Sequence, residues 1–252
     1  MMMVAGISIE FDPHFFAMMA IVFIAGIIRG FAGFGSALLA VPALAVLYGP
    51  AQAIVIEVLI EIPVVLGMLP IAIREAKRET VQPMLLMFVA FVPLGTLLLT
   101  IINPDHVKVL ISLFVLVAVG LMSQQSRFIG LFTPKADYIV GAISGAIQGL
   151  TGMAGPLFAT ALAARGESAT VTRANTSAIA GGIIFFSVIS FTLFGLITKQ
   201  ALLYAVIASP AILSGVWLGS VLFRRFTHRN VQNLIFGFLV FTALLTLYQT
   251  LS

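Results

Sequence analysis

The sequence predicts an all-α polytopic membrane protein made of two inverted repeats, each a broken helical hairpin followed by three crossings. Three observations carry this. The 252-residue chain is 61% hydrophobic and 9% charged, with a mean hydropathy of +1.16, whereas soluble domains hold about 25% charged residues. Its apolar residues are continuous instead of alternating, and residues 174–198, 201–223 and 231–251 contain no Asp, Glu, Lys or Arg. Each run meets the roughly 20 residues a helix needs to cross a hydrocarbon core about 30 Å thick. The third observation is a pair of long apolar stretches interrupted by glycine, one in each half.

From the N-terminus, the apolar stretches cover residues 14–48, 51–73, 81–102, 106–122, 138–164, 174–198, 201–223 and 231–251. A straight helix over the first would be about 52 Å long at about 1.5 Å per residue, so it must break. Its middle reads Gly26-Ile-Ile-Arg29-Gly30-Phe-Ala-Gly33-Phe-Gly35-Ser36, a poor helix interior that sets the break near residues 30–35. The fifth stretch has the same character, with Gly141, Gly145, Gly149, Gly152 and Gly155-Pro156.

The basic residues choose between two topologies, because Lys and Arg collect on the cytoplasmic side. If all eight stretches cross, Arg74, Lys77, Arg78, Arg127, Lys135 and Lys199 face Lys108, Arg165, Arg173, Arg224, Arg225 and Arg229, six against six. If the first and fifth stretches enter and leave on one side, only Lys108 and Lys199 remain opposite the other ten, and Arg29 lies within the membrane. The hairpin topology follows, with both termini outside a bacterial-type inner membrane. The first repeat is then residues 1–125 and the second residues 126–252, each with an odd number of crossings, so the second is inserted upside down. A shift of 119 residues carries Gly26, Gly30 and Gly33 onto Gly145, Gly149 and Gly152, and Ala40 onto Ala159.

Several function classes are excluded. With no cysteine, disulfides, thiolate metal sites and nucleophilic Cys chemistry are absent. His14, His106 and His228 are scattered at span ends and form no metal-ligand spacing, so neither metal nor cofactor is expected. No nucleophile–base arrangement, phosphate loop or nucleotide motif is present, which argues against an enzyme or an ATP-driven pump. The pI near 9.8 reflects a net charge of only +4 and does not point to nucleic acid. Residues 1–16 carry Glu10 and Asp12 but no Lys or Arg, so a cleavable signal peptide is not expected.

Both glycine stretches resemble the TauE/SafE family of sulfite and organosulfonate permeases. The resemblance rests on Arg29-Gly-Phe-Ala-Gly-Phe-Gly-Ser-Ala-Leu-Leu-Ala-Val-Pro42, on Gly145-Ala-Ile-Gln-Gly-Leu-Thr-Gly-Met-Ala-Gly-Pro156 followed by Arg173-Ala-Asn-Thr-Ser177, and on the basic stretch at residues 224–230. It implies secondary transport, often outward, of a small sulfur-containing oxyanion across the lipid bilayer.

The residues suggest how such an anion would be held. Broken helices at mid-membrane are tolerated where they line a cavity, and they aim backbone N–H groups at anionic substrates. Gly33 and Gly35, with Gly152 and Gly155, read as two facing anion cradles; Ser36 is placed to N-cap the next helix, and Pro156 to open its counterpart. Gly26, Gly30, Gly141, Gly145, Gly215 and Gly219 read as close helix approach. Arg29 offers a fork that matches a sulfonate or sulfite, or else an ion pair with Glu57 or Glu61. Its repeat counterpart, Gln148, keeps donors without the charge. Glu57 and Glu61, four apart on one helix face, suit proton coupling or neutralisation of Arg29. Thr151, Asn175, Thr176 and Ser177 offer neutral hydrogen bonds, while Arg173 reads as a charge at the cytoplasmic mouth and Asp105 as a helix N-cap. Two other readings stay open: a cation/proton antiporter using the same carboxylates, and a non-transporting membrane scaffold. The glycine spacings leave room for a homodimer.

Overall fold

A computed structural model describes residues 2–4, 7–9, 13–124, 136–225 and 228–251. Among these residues, strands β1 (Met2–Val4) and β2 (Ile7–Ile9) pair antiparallel ahead of ten helices: α1 (Pro13–Ala32), α2 (Ser36–Tyr48), α3 (Pro50–Glu75), α4 (Arg78–Ile101), α5 (Pro104–Ser123), α6 (Ala136–Thr151), α7 (Gly155–Ala163), α8 (Ala169–Leu193), α9 (Lys199–Arg225) and α10 (His228–Leu251). Among the described residues, six helices are long and apolar enough to cross a membrane, in α1, α3, α4, α5, α8 and α9. Their outward faces stay apolar, with Leu86, Ile101, Phe185, Leu193, Val206 and Trp217 exposed. Apolar residues on all sides are what a lipid-facing bundle requires.

Both predicted breaks occur, but each hairpin is unequal. The first stretch divides into arms of 20 and 13 residues and the second into arms of 16 and 9. At about 1.5 Å per residue, α1 is roughly 30 Å long and can span the hydrocarbon core, with the break at the expected place near residues 30–35. The reason is local. The break falls at residues 33–35, late in the stretch, because those are the positions where left-handed backbone demands glycine: Gly33 has φ 83° and Gly35 φ 99°. Helix α8 is offset from the sixth apolar stretch at both ends, beginning at Ala169 where residue 174 was expected. The sixth span was expected to reach residue 198, but α8 ends at Leu193 because Gly195 turns left-handed (φ 68°) and Leu196 N–H closes back on Phe191 O at 2.9 Å.

The N-caps also differ from expectation. Gly35, not Ser36, occupies the cap position of α2, and the Ser36 hydroxyl is used elsewhere. Asn103 caps α5, its side chain accepting Asp105 N–H at 2.9 Å; Pro104 then takes a position where no N–H is needed.

Two helix seams organise the bundle. Helix α1 lies along α9, where a Cβ at Gly30 would meet the Val216 carbonyl and one at Gly219 the Ile27 carbonyl. Helix α6 lies along α4, where a Cβ at Gly149 would meet the Val92 carbonyl and one at Gly95 the Ala146 carbonyl. These glycines let backbones touch, as membrane helices lacking a hydrophobic drive to associate require. The two tips share a geometry as well. Gly33 N–H bonds Arg29 O at 2.9 Å and Gly152 N–H bonds Gln148 O at 2.8 Å. The following helices open with Leu38 N–H on Gly35 O and Leu157 N–H on Ala154 O.

Candidate functional site

The tips meet the middle of α3. Glu61 is the twelfth of that helix's 26 residues, and Arg29 reaches it from the last turn of α1. Arg29 Nε donates to Glu61 Oε2 at 3.1 Å, and Ser36 Oγ donates to Glu61 Oε1 at 2.5 Å. The pair is buried, with side-chain exposures of 6% and 9%, so the ion-pair reading of Arg29 is realised with Glu61 and not with Glu57. Among the described residues, no hydrogen bond occupies the two terminal nitrogens of Arg29. Glu57, one turn earlier and 1% exposed, has no partner there for either carboxylate oxygen.

These groups surround a cavity of about 60 Å³. Arg29, Ser36, Glu57, Glu61, Gln148, Gly152, Gly155 and Thr176 line it, together with Phe34, Phe158, Ile183 and Ile184. Eight of the thirteen residues read from the sequence as anion-binding or coupling groups therefore converge on one small space. Gly33 faces a second cavity of about 560 Å³, lined also by Glu167, Thr172, Arg173, Ser177 and Phe223. Gly35 sits at the tip through its backbone conformation alone.

The remaining assignments land differently. Gln148 does not offer its oxygen to the cavity: Oε1 accepts Ala154 N–H at 3.1 Å, tying off the second tip. Thr151 and Thr176 donate to the carbonyls of Ile147 and Thr172 at 2.8 and 2.7 Å, the usual fate of hydroxyls in apolar helices. Asn175 lies away from the cavity, accepting Lys77 N–H at 2.7 Å and donating to Glu167 at 3.1 Å. Arg127 and Lys135 lie outside the described residues, as do the side chains of Arg224, Arg229 and His228.

At the end of the bundle that carries Arg165, the sequence reading missed a polar network. Lys77 Nζ pairs with Glu167 at 2.9 Å, Arg165 Nη1 donates to Thr80 Oγ1 at 2.8 Å, and Arg165 forms an ion pair with buried Asp137. The signal was visible but unspecific: each charge sits at the edge of an apolar stretch, where a topological reading suffices. Burial pushes the Asp137 carboxyl above its ordinary range, against the opposing pull of Arg165. Arg165→Ala is expected to destabilise the fold by about 3–5 kcal/mol, since it leaves a buried charge unpaired. A carboxyl whose folded value is raised stabilises least at high pH, because the folded state then gives up the proton it held more tightly. Thermal melts of this variant should thus show a deficit that widens from acid to neutral pH.

A bundle of apolar helices that buries an arginine, two glutamates and two broken-helix tips around a central cavity defines a multi-pass membrane transporter. Such charges are seldom retained in spans without use. The family model described as Sulfite exporter TauE/SafE matches residues 18–246, and the chain belongs to that family of sulfur-anion transporters. No curated protein and no solved structure gives a match.

Proposed function

We propose that this chain is a secondary transporter, working outward, for sulfite or a short organosulfonate, with the anion bound in the deep cavity between the two tips. The observation that carries the reading is Arg29. It is buried, it is held by Glu61 through one nitrogen, and among the described residues nothing claims its two terminal nitrogens beside the cavity. A guanidinium so placed presents a planar fork to two oxyanion oxygens. Size agrees: one water needs about 10–15 Å³ of such space, so about 60 Å³ accepts a headgroup of sulfite size. A longer tail would extend toward the larger cavity.

Proton coupling through the carboxylates belongs to the same reading, and the two glutamates divide the work. Glu61 fixes Arg29, while Glu57 takes the proton, since a second bare carboxylate cannot share a small buried space with a bound anion. The repeats are inverted about the α3–α8 contact, the end bearing Lys77 and Arg165 faces the cytoplasm of a bacterial-type inner membrane, and both termini lie outside. The reciprocal seams, α1 on α9 and α6 on α4, support this arrangement.

The test uses purified protein in detergent and in proteoliposomes. Methanesulfonate and sulfite should raise the melting temperature in a saturable way, by the equivalent of about 2.7 kcal/mol at a hundredfold excess over Kd, and should exchange across the bilayer. Glu57→Gln should retain exchange while losing its dependence on a pH gradient. Saturable flux of cations with no response to either anion would instead establish the antiporter.

A further inference from the structure

The transport reading leaves open how an anion passes between the two cavities. The deep one, about 60 Å³, is lined by Arg29, Glu57 and Glu61; the larger, about 560 Å³, runs from the first tip to Glu167 and Arg173. Among the described residues, just Phe34 and Thr176 line both. Thr176 is a fixed wall, part of α8 with its hydroxyl tied to Thr172 O. Phe34 is not in a helix at all. It stands in the linker between α1 and α2, partly buried, with Gly33 (φ 83°) before it and Gly35 (φ 99°) after it. Across from it is Gly155 of the second tip, where an added Cβ would come within 3.9 Å of Phe34 Cβ.

Each feature has a physical consequence. An aromatic ring between a small space lined by Arg29, Glu57 and Glu61 and a larger one limits the exchange of water and ions between them, and exclusion of water strengthens the charge interactions inside. Glycines on both sides allow the linker to change φ and ψ at low steric cost, which is what a hinge must do. Gly155 supplies the facing surface without a side chain in the way. We propose that Phe34 is the inner gate of the pathway: its ring is the partition between the two cavities, its movement about Gly33 and Gly35 opens the way to Arg29, and its bulk determines which anions pass. This rests on the transport reading only in taking the deep cavity as the chamber to be reached.

The natural absence of cysteine makes a direct test available. Single cysteines are introduced as Ala163→Cys, in the large cavity, and Ala180→Cys, in the deep one, and their reaction with an anionic maleimide is timed in detergent. With Phe34 present, Ala163→Cys should react quickly and Ala180→Cys slowly. Phe34→Ala should speed Ala180→Cys on the order of tenfold, equivalent to about 1.4 kcal/mol off the barrier, and leave Ala163→Cys unchanged; Phe34→Leu should fall between. The unchanged Ala163→Cys rate reports that each variant is folded, and Phe34→Leu serves if the alanine variant is not. Equal rates at the two cysteines with Phe34 in place, or no acceleration in either Phe34 variant, would overturn the gate. Methanesulfonate binding by thermal shift separates the two ideas. Retained binding without altered labelling removes the gate and keeps the site, whereas altered labelling without any binding keeps the gate and removes the site.

Discussion

Arg29→Ala is expected to abolish anion binding and to destabilise the fold at once. A hydrogen bond to a charged group contributes about 1.5–3 kcal/mol, so losing two such bonds lowers affinity on the order of a hundredfold or more. The same change strands Glu61, whose remaining partner is the Ser36 hydroxyl. Breaking a buried pair from one side costs about 3–5 kcal/mol, because the surviving charge has no compensation. The two effects separate in a double-variant cycle. Arg29→Ala with Glu61→Gln should recover most of the thermal stability and none of the binding. Arg29→Lys should keep the ion pair but bind weakly, since an ammonium lacks the planar fork. Isothermal titration with methanesulfonate alongside melting curves checks all three. Full affinity in Arg29→Ala would take Arg29 out of the site.

The second large effect concerns an uncharged residue in the α4–α6 seam. At Gly149 an added Cβ would meet the Val92 carbonyl, with Thr96 N at 2.6 Å and Gly95 C at 2.9 Å. All three atoms are backbone and cannot move aside as a side-chain tip would. Gly149→Ala must therefore push α6 off α4 along the whole seam, an overpacking cost of about 1–3 kcal/mol or more, and Gly149→Val should prevent recovery of monodisperse protein. Gly120→Ala is the matched control. Nothing lies within 4 Å of its added Cβ, so replacing a poor helix former should be neutral or stabilising by up to about 1 kcal/mol. Fluorescence-detected gel filtration and melting of the two alanine variants distinguish them. Equal behaviour would mean that the seam is not what holds α6.

These cases show where sequence reading succeeds and where it stops. The glycine breaks were legible because left-handed backbone and close helix approach leave few alternatives to glycine, so Gly33, Gly35 and Gly152 announced themselves. Arg29, Glu57 and Glu61 were legible for a related reason: charge inside an apolar run is costly and needs a partner. Which glutamate pairs with Arg29 was not legible. Both stand on one face of α3, and a difference of one turn becomes visible only when the tip is docked. Asn175 shows the reverse failure. Its position beside Thr176 suggested a shared ligand, yet neighbours on a helix point about 100° apart. One meets the cavity while the other holds the α3–α4 turn. Phe34 carried no signal in a chain with 21 phenylalanines, since its role comes from the two spaces it divides.

By itself, then, the sequence determined a helical membrane protein of the TauE/SafE family, broken twice at glycine, with one arginine and two glutamates at the level of the breaks. Composition and backbone sterics are local properties, and a chain carries them wherever it goes. The tertiary structure alone decided that Glu61 is tied to Arg29 and Ser36, that Glu57 has no hydrogen-bond partner among the described residues, and that Phe34 lines two cavities. Those are relations among α1, α2, α3, α6, α7 and α8, set by how far glycine seams let helix backbones approach.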